Sequence, residues 1–184
     1  GTPVETWRKP SQTHQPPLSL QCSDDFADSL GLQWQFMGNW RADFYAVDGG
    51  LTLAALPAPN GILWNCPHVL TQKIAAPAFT AEVTLDARAL QIGEQAGFGL
   101  IGGQYAYIAL RRTAAGMRLV FVQSDGEAHQ ERVCEEIDAP AEQLALRMVL
   151  QPTGDDTARA AFAYQHQGDW RRFGEPFSPA RHTW

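Results

Sequence analysis

Tyr105-Ala106-Tyr107-Ile108-Ala109-Leu110-Arg111-Arg112 is the stretch on which the fold turns. A strand sends successive side chains to opposite faces, so this apolar and aromatic run makes both of its faces apolar. Such a strand belongs in the middle of a sheet covered on both sides. Gly102-Gly103 precedes it and Ala115-Gly116 follows it, and both pairs read as turns. Further strand candidates lie outward at short, regular spacing, at 69–74, 79–87, 95–101, 117–123, 130–137, 144–150 and 158–165. Ser124-Asp125-Gly126, Gly154-Asp155-Asp156 and Gly168-Asp169 punctuate them. Nearer the start, Leu32-Gln33-Trp34-Gln35-Phe36 alternates strictly, with Leu, Trp and Phe on one face, which predicts a strand with Trp34 in the core. A strand at 51–56 follows the turn Asp48-Gly49-Gly50, and Pro57, Pro59 and Asn60-Gly61 open a loop. Only 87–96 reads as able to hold a helical turn. The spacing predicts an all-β antiparallel sandwich or barrel.

Composition sets the limits around that core. With 184 residues and 20.3 kDa the chain has the length of one domain, and 45% apolar against 18% charged residues fits a folded core. Residues 1–17 hold four prolines among polar residues and read as an extended connector, leaving 18–184 as the sandwich. The net charge of −6 argues against a nucleic-acid partner, which needs a basic face. No apolar run approaches the roughly 18 residues of a membrane span. The start lacks the apolar stretch of a signal peptide, and Gly1 in place of Met points to a processed or engineered end. Cys22, Cys66 and Cys134 lie far apart, which predicts half-buried free thiols in a reducing compartment, the cytoplasm, rather than a bridge plus a spare.

No motif completes an active site. Gly97-Phe98-Gly99-Leu100-Ile101-Gly102 spells a dinucleotide fingerprint, yet a strand follows it where a helix N-terminus must hold the pyrophosphate. The glycines instead predict close strand packing. Glu136, Asp138 and Glu142 resemble the carboxylate triplet that some sandwich β-glucanases carry on one strand. The third acid comes too late, and Pro140 breaks the strand before it, so a solvated strand end is the expectation. The pairs Asp24-Asp25, Glu135-Glu136 and Asp155-Asp156 are adjacent and point to opposite faces. His14, His68, His129, His166 and His182 show no metal spacing. No cofactor is expected, although Asp24 or Asp25 could serve a structural calcium. Among six tryptophans, Trp64 and Trp40 are the candidate stacking platforms for a sugar ring.

Ser23-Asp24-Asp25-Phe26 followed by Leu30-Gly31-Leu32-Gln33-Trp34-Gln35-Phe36 resembles the opening of a known module. That module is the concanavalin A-like C-terminal sandwich of glycoside hydrolase family 43 β-xylosidases. The similarity continues through Leu70-Thr71-Gln72-Lys73, Phe79-Thr80-Ala81-Glu82-Val83, Gln95-Ala96-Gly97-Phe98-Gly99-Leu100 and the Tyr105 strand. It ends with Asp169-Trp170 before Gly174-Glu175-Pro176-Phe177, covering about 20–184. The opening Gly1-Thr2-Pro3-Val4 with Trp7-Arg8-Lys9-Pro10 is similar to the segment that leaves the family's catalytic propeller. One departure is the loop Met37-Gly38-Asn39-Trp40-Arg41-Ala42-Asp43-Phe44, shorter than the family's.

The resemblance implies a jelly-roll sandwich appended to a five-bladed β-propeller. In the family the propeller holds the catalytic carboxylates and removes xylose or arabinose from chain ends with inversion. The implied role here is a non-catalytic accessory module whose partner is its own N-terminal propeller, absent from this chain. Trp184 stands near the position of the aromatic that reaches the propeller's pocket in some members, and the family's last glycine-rich strand is missing after it. Two further expectations stand beside this one. One is an independent binding module for xylooligosaccharides using Trp64 or Trp40, and the other a free-standing enzyme using Glu136 and Asp138.

Overall fold

The computed structural model describes residues 23–179 apart from positions 75, 127, 155 and 156. Two short antiparallel ribbons come first. β1 (Trp34–Phe36) and β2 (Tyr45–Val47) open the chain, and β3 (Leu51–Leu53) pairs with β2 while β4 (Leu70–Gln72) pairs with β1. The longer strands follow as β5 (Phe79–Asp86), β6 (Gln95–Ile101), β7 (Tyr105–Thr113), β8 (Gly116–Ser124), β9 (Glu131–Asp138), β10 (Gln143–Pro152), β11 (Ala158–His166) and β12 (Asp169–Arg172). They form two four-stranded antiparallel sheets, ordered β6-β7-β8-β9 and β12-β11-β10-β5.

One core lies between the two sheets. Ile108, Leu110, Leu119 and Phe121 meet Leu146, Met148, Leu150 and Phe162, all buried, with the Phe121 and Phe162 rings 5.5 Å apart. This makes a sandwich rather than a barrel. The Tyr105 strand is β7, an interior strand of its sheet, and every residue from 105 to 110 is buried. β6 runs beside β7 so closely that a Cβ on Gly97 or Gly99 would stand 2.5 Å from the carbonyl oxygen of Ile108 or Ala106. These glycines therefore serve strand packing, as expected. Gln167 (φ 54°) and Gly168 (φ 90°) both lie in the left-handed region and close the two-residue turn between β11 and β12.

Three expectations need correction. Leu32 is fully exposed, because the Trp34 N–H bonds to the Gly31 carbonyl at 3.1 Å and closes a turn before β1 begins. Trp34 is half-buried rather than core, held by Phe26 (ring centroids 5.5 Å) and by an Asp24 carboxylate oxygen 2.9 Å from its Nε1. The stretch 87–96 makes two successive tight turns, Leu90 to Ala87 and Glu94 to Gln91, and no helix. So short a segment cannot nucleate one without a packed face. Short 3₁₀ turns occur instead at Ala42–Phe44, Pro59–Gly61 and Leu63–Asn65. The turn signal Gly168-Asp169 hid the short edge strand β12. Among the described residues no helix is long and apolar enough to cross a membrane.

Candidate functional site

The outer face of the β6–β9 sheet carries the most enclosed polar cluster. Tyr105, Tyr107 and Ala109 on β7 point there with Val120 and Val122 on β8, all buried, and Leu63, Trp64 and Ile101 pack on them. Glu131, at the start of β9, sits among these apolar groups. One carboxylate oxygen accepts from the Leu63 N–H at 2.7 Å and the Tyr105 hydroxyl at 2.8 Å. The other accepts from the Tyr107 hydroxyl at 2.7 Å. Burial, then the hydrogen bond to Glu131, push both phenols well above their ordinary value. Burial and the Glu131 charge also push up the Cys66 thiol.

This arrangement is a clasp. Glu131 accepts from three donors on two separate elements, and both phenols hold their protons. The clasp ties the loop that carries Leu63–Asn65 to the sheet. Trp64 completes it by stacking on His129, with ring centroids 4.1 Å apart and planes at 15°. The His129 Nδ1 is enclosed without a hydrogen-bond partner. Sequence reading missed Glu131 because its partners lie two strands away and only the pairing register brings them together.

The residues singled out from the sequence do not converge. Glu136 and Asp138 share a face of β9, but both bind Arg118 across the pair with β8, and Asp138 is almost fully exposed. Glu142 pairs with Arg112 at 2.7 Å instead. Trp64 is half-buried in the clasp, whereas Trp40 is 61% exposed. Asp24 uses one oxygen for the Phe26 N–H and the other for Gln33 and Trp34, and Asp25 accepts the Ala27 N–H. These donors lower the Asp24 carboxyl below its usual value, the Phe26 N–H most of all. Among the described residues no three His, Cys, Asp or Glu side chains gather around a common point. Cys66 is buried and Cys134 exposed, both free, so neither is half-buried. Trp184, His182, Cys22, Asp155, Asp156 and the 1–17 connector lie outside the described residues.

Comparison with known proteins supplies what the geometry leaves open. Residues 23–181 match the sequence profile of the β-xylosidase C-terminal concanavalin A-like domain. The chain belongs to that family. As a whole it is 24% identical to a β-xylosidase of Formosa agariphila and covers 34% of that protein. A solved GH43 glycoside hydrolase, engineered at its active site to display both endo-xylanase and exo-arabinofuranosidase activity, shares the fold with a TM-score of 0.75. The similarity covers 92% of this chain and 36% of that one, at 22% identity. A bifunctional GH43-CE protein of Bacteroides eggerthii gives a TM-score of 0.73 at 20% identity, over 83% of this chain and 20% of its own. The concanavalin A-like domain thus spans about a third of the β-xylosidase it matches, and these relatives are larger proteins in which it adjoins other domains.

Proposed function

We propose that this domain is a non-catalytic accessory module of a family 43 glycoside hydrolase, of the β-xylosidase or α-L-arabinofuranosidase type. It packs on the catalytic propeller and helps shape the substrate pocket there. The observation that carries this reading is where apolar surface remains uncovered. Of the six large apolar residues that stand exposed among the described residues, Leu32, Trp40, Leu53 and Ile74 lie in the two-ribbon segment before β5, while Ile92 and Val133 lie elsewhere. Scattered exposed apolar residues are ordinary, but a concentration in one segment fits a docking surface. The ion-paired, exposed setting of Glu136 and Asp138 supports the same reading, because a retaining or inverting glycosidase needs its two carboxylates across a cleft. Within this reading Trp184 is the residue that reaches the propeller's pocket.

The isolated chain is expected to leave aryl xylosides and aryl arabinosides intact. Turnover at rates comparable to an intact two-domain enzyme overturns the proposal, and a Glu136→Gln variant then shows whether that carboxylate is responsible. In the two-domain enzyme, replacing Leu32 and Trp40 with Ser is expected to lower the melting temperature, while the same pair leaves the isolated domain unchanged. The exposure of Trp40 also favours a second reading, a xylooligosaccharide-binding module. A flat tryptophan-fluorescence trace up to millimolar neutral sugar counts against it.

A further inference from the structure

The outer face of the other sheet holds a feature that neither reading uses. A shallow groove of about 570 Å³ crosses β10, β11 and β12 there. That size is within the range of small-ligand sites. Val149, Ala161 and Ala163 form its floor, Pro152 and Thr153 stand at one end and Trp170 at the other, with Pro176 beside Ala161 along the edge. Three cations line it, Arg147, Arg159 and Arg172, in a chain whose net charge is −6.

The three guanidiniums have different work. Arg147 is spoken for. It pairs with Glu82 across β5 at 2.6 Å, and its guanidinium lies 3.8 Å from the centre of the Trp170 ring. That contact fixes the indole at the end of the groove. Arg159 and Arg172 are exposed and make no ion pair with any described residue. The register places Arg172 beside Ala163, while Arg159 lies four residues away along β11, a separation of roughly 13 Å between Cα positions. The groove therefore offers two planar cations without an acidic partner among the described residues, at separated points, with an aromatic ring and an apolar floor between and beside them.

The geometry points to a binding site for an acidic oligosaccharide, a xylan-type chain carrying uronic-acid carboxylates. Guanidinium forks grip carboxylates with two parallel hydrogen bonds. Sugar rings offer apolar C–H faces that suit a Trp wall and an alanine floor. An acidic protein segment fits less well, because tight protein contacts centre on deep, desolvated pockets and this groove is open and shallow. The xylan-type backbone rests on the family reading above, whereas the demand for negative charge rests only on the arginines.

Calorimetric titration of the full 184-residue chain tests this with three probes, a uronate-bearing xylotetraose, neutral xylotetraose and poly-glutamate. The acidic sugar is expected to bind at least about tenfold more tightly than the neutral one, with affinity falling as salt is raised. Arg159→Ala and Arg172→Ala, both at exposed positions, are each expected to weaken it about tenfold. Trp170→Phe retains a flat ring and keeps partial binding if stacking matters, so a folding defect in Trp170→Ala does not decide the matter. Equal affinity for the acidic and neutral sugars, or indifference to both arginine substitutions, overturns the proposal. Binding of poly-glutamate as tight as that of the acidic sugar overturns it in favour of a protein-docking face. None of these outcomes bears on the aryl-glycoside assay, so this site and the accessory role fail separately.

Discussion

On the outer face of the β6–β9 sheet, Tyr105, Val120 and Val122 are as buried as the core, whereas among the described residues the outer face of the opposite sheet stays open. There β10 alternates a buried Leu144, Leu146, Met148 and Leu150 with half-buried Ala145, Arg147 and Val149. Both sheets contribute equally to the core between them, so the difference arises outside it. One sheet is roofed by the loop that Glu131 clasps, and the other faces solvent with an arginine-lined groove. Beside the core between the sheets, this sandwich has a second apolar cluster outside the β6–β9 sheet. Functional surface is available where the roof is missing.

The sharpest way to break this comparison is to place the same charge on each outer face. Val120→Asp is expected to cost at least about 4 kcal/mol, since an unpaired carboxylate would be buried, and to leave the domain largely unfolded. Val149→Asp is expected to stay within about 0.5 kcal/mol. Urea unfolding followed by tryptophan fluorescence checks both, and similar losses would mean that the two faces are not different in burial. Next in size is Gly99→Val, expected to destabilise by about 1–3 kcal/mol through collision with the β7 backbone. Ala163→Val on the open face is expected to be near neutral in the same assay.

Glu131→Gln probes the clasp itself. It leaves one of the three donors poorly matched in a buried site, at an expected cost of about 1–3 kcal/mol. The clasp also predicts alkaline sensitivity. An unfolded phenol titrates near pH 10, and in the fold Tyr105 and Tyr107 keep their protons to higher pH. Above pH 10 the unfolded chain therefore loses protons that the folded chain retains, so stability is intact below that value and falls as pH rises through it. The urea midpoint is expected to drop between pH 9 and pH 11, and Tyr107→Phe is expected to flatten the drop. A small effect is expected of Arg118→Ala. Its pairs with Glu136 and Asp138 are exposed, and at most about 1 kcal/mol is expected from a thermal-melt comparison.

Much of the fold is legible from residues alone. The strands from β5 to β11 fall on the expected stretches within one or two residues, because each is either a continuous apolar run or a clean alternation between turn residues. The first ribbons were less legible. Strands of three residues give periodicity too little length to register, and a turn at Gly31 removed Leu32 from the alternation it seemed to complete by spelling. The family likeness was legible as an ordered series of short matches, and the profile match over 23–181 bears it out. The two surface features were not. Glu131 is 26 and 24 positions from the tyrosines it holds, and Arg147 is 23 from the tryptophan it faces, separations that carry no local pattern.

The amino-acid order alone determined that this chain would be an antiparallel all-β sandwich or barrel, because side-chain alternation and turn chemistry act over a few neighbouring residues, and the family resemblance pointed to the sandwich. Which outer face would be roofed, where Glu131 would find its donors and where three arginines would line one groove with a tryptophan were decided only by tertiary structure. Those outcomes depend on strand order and register, which bring distant residues within hydrogen-bond reach and leave no trace in short-range spacing.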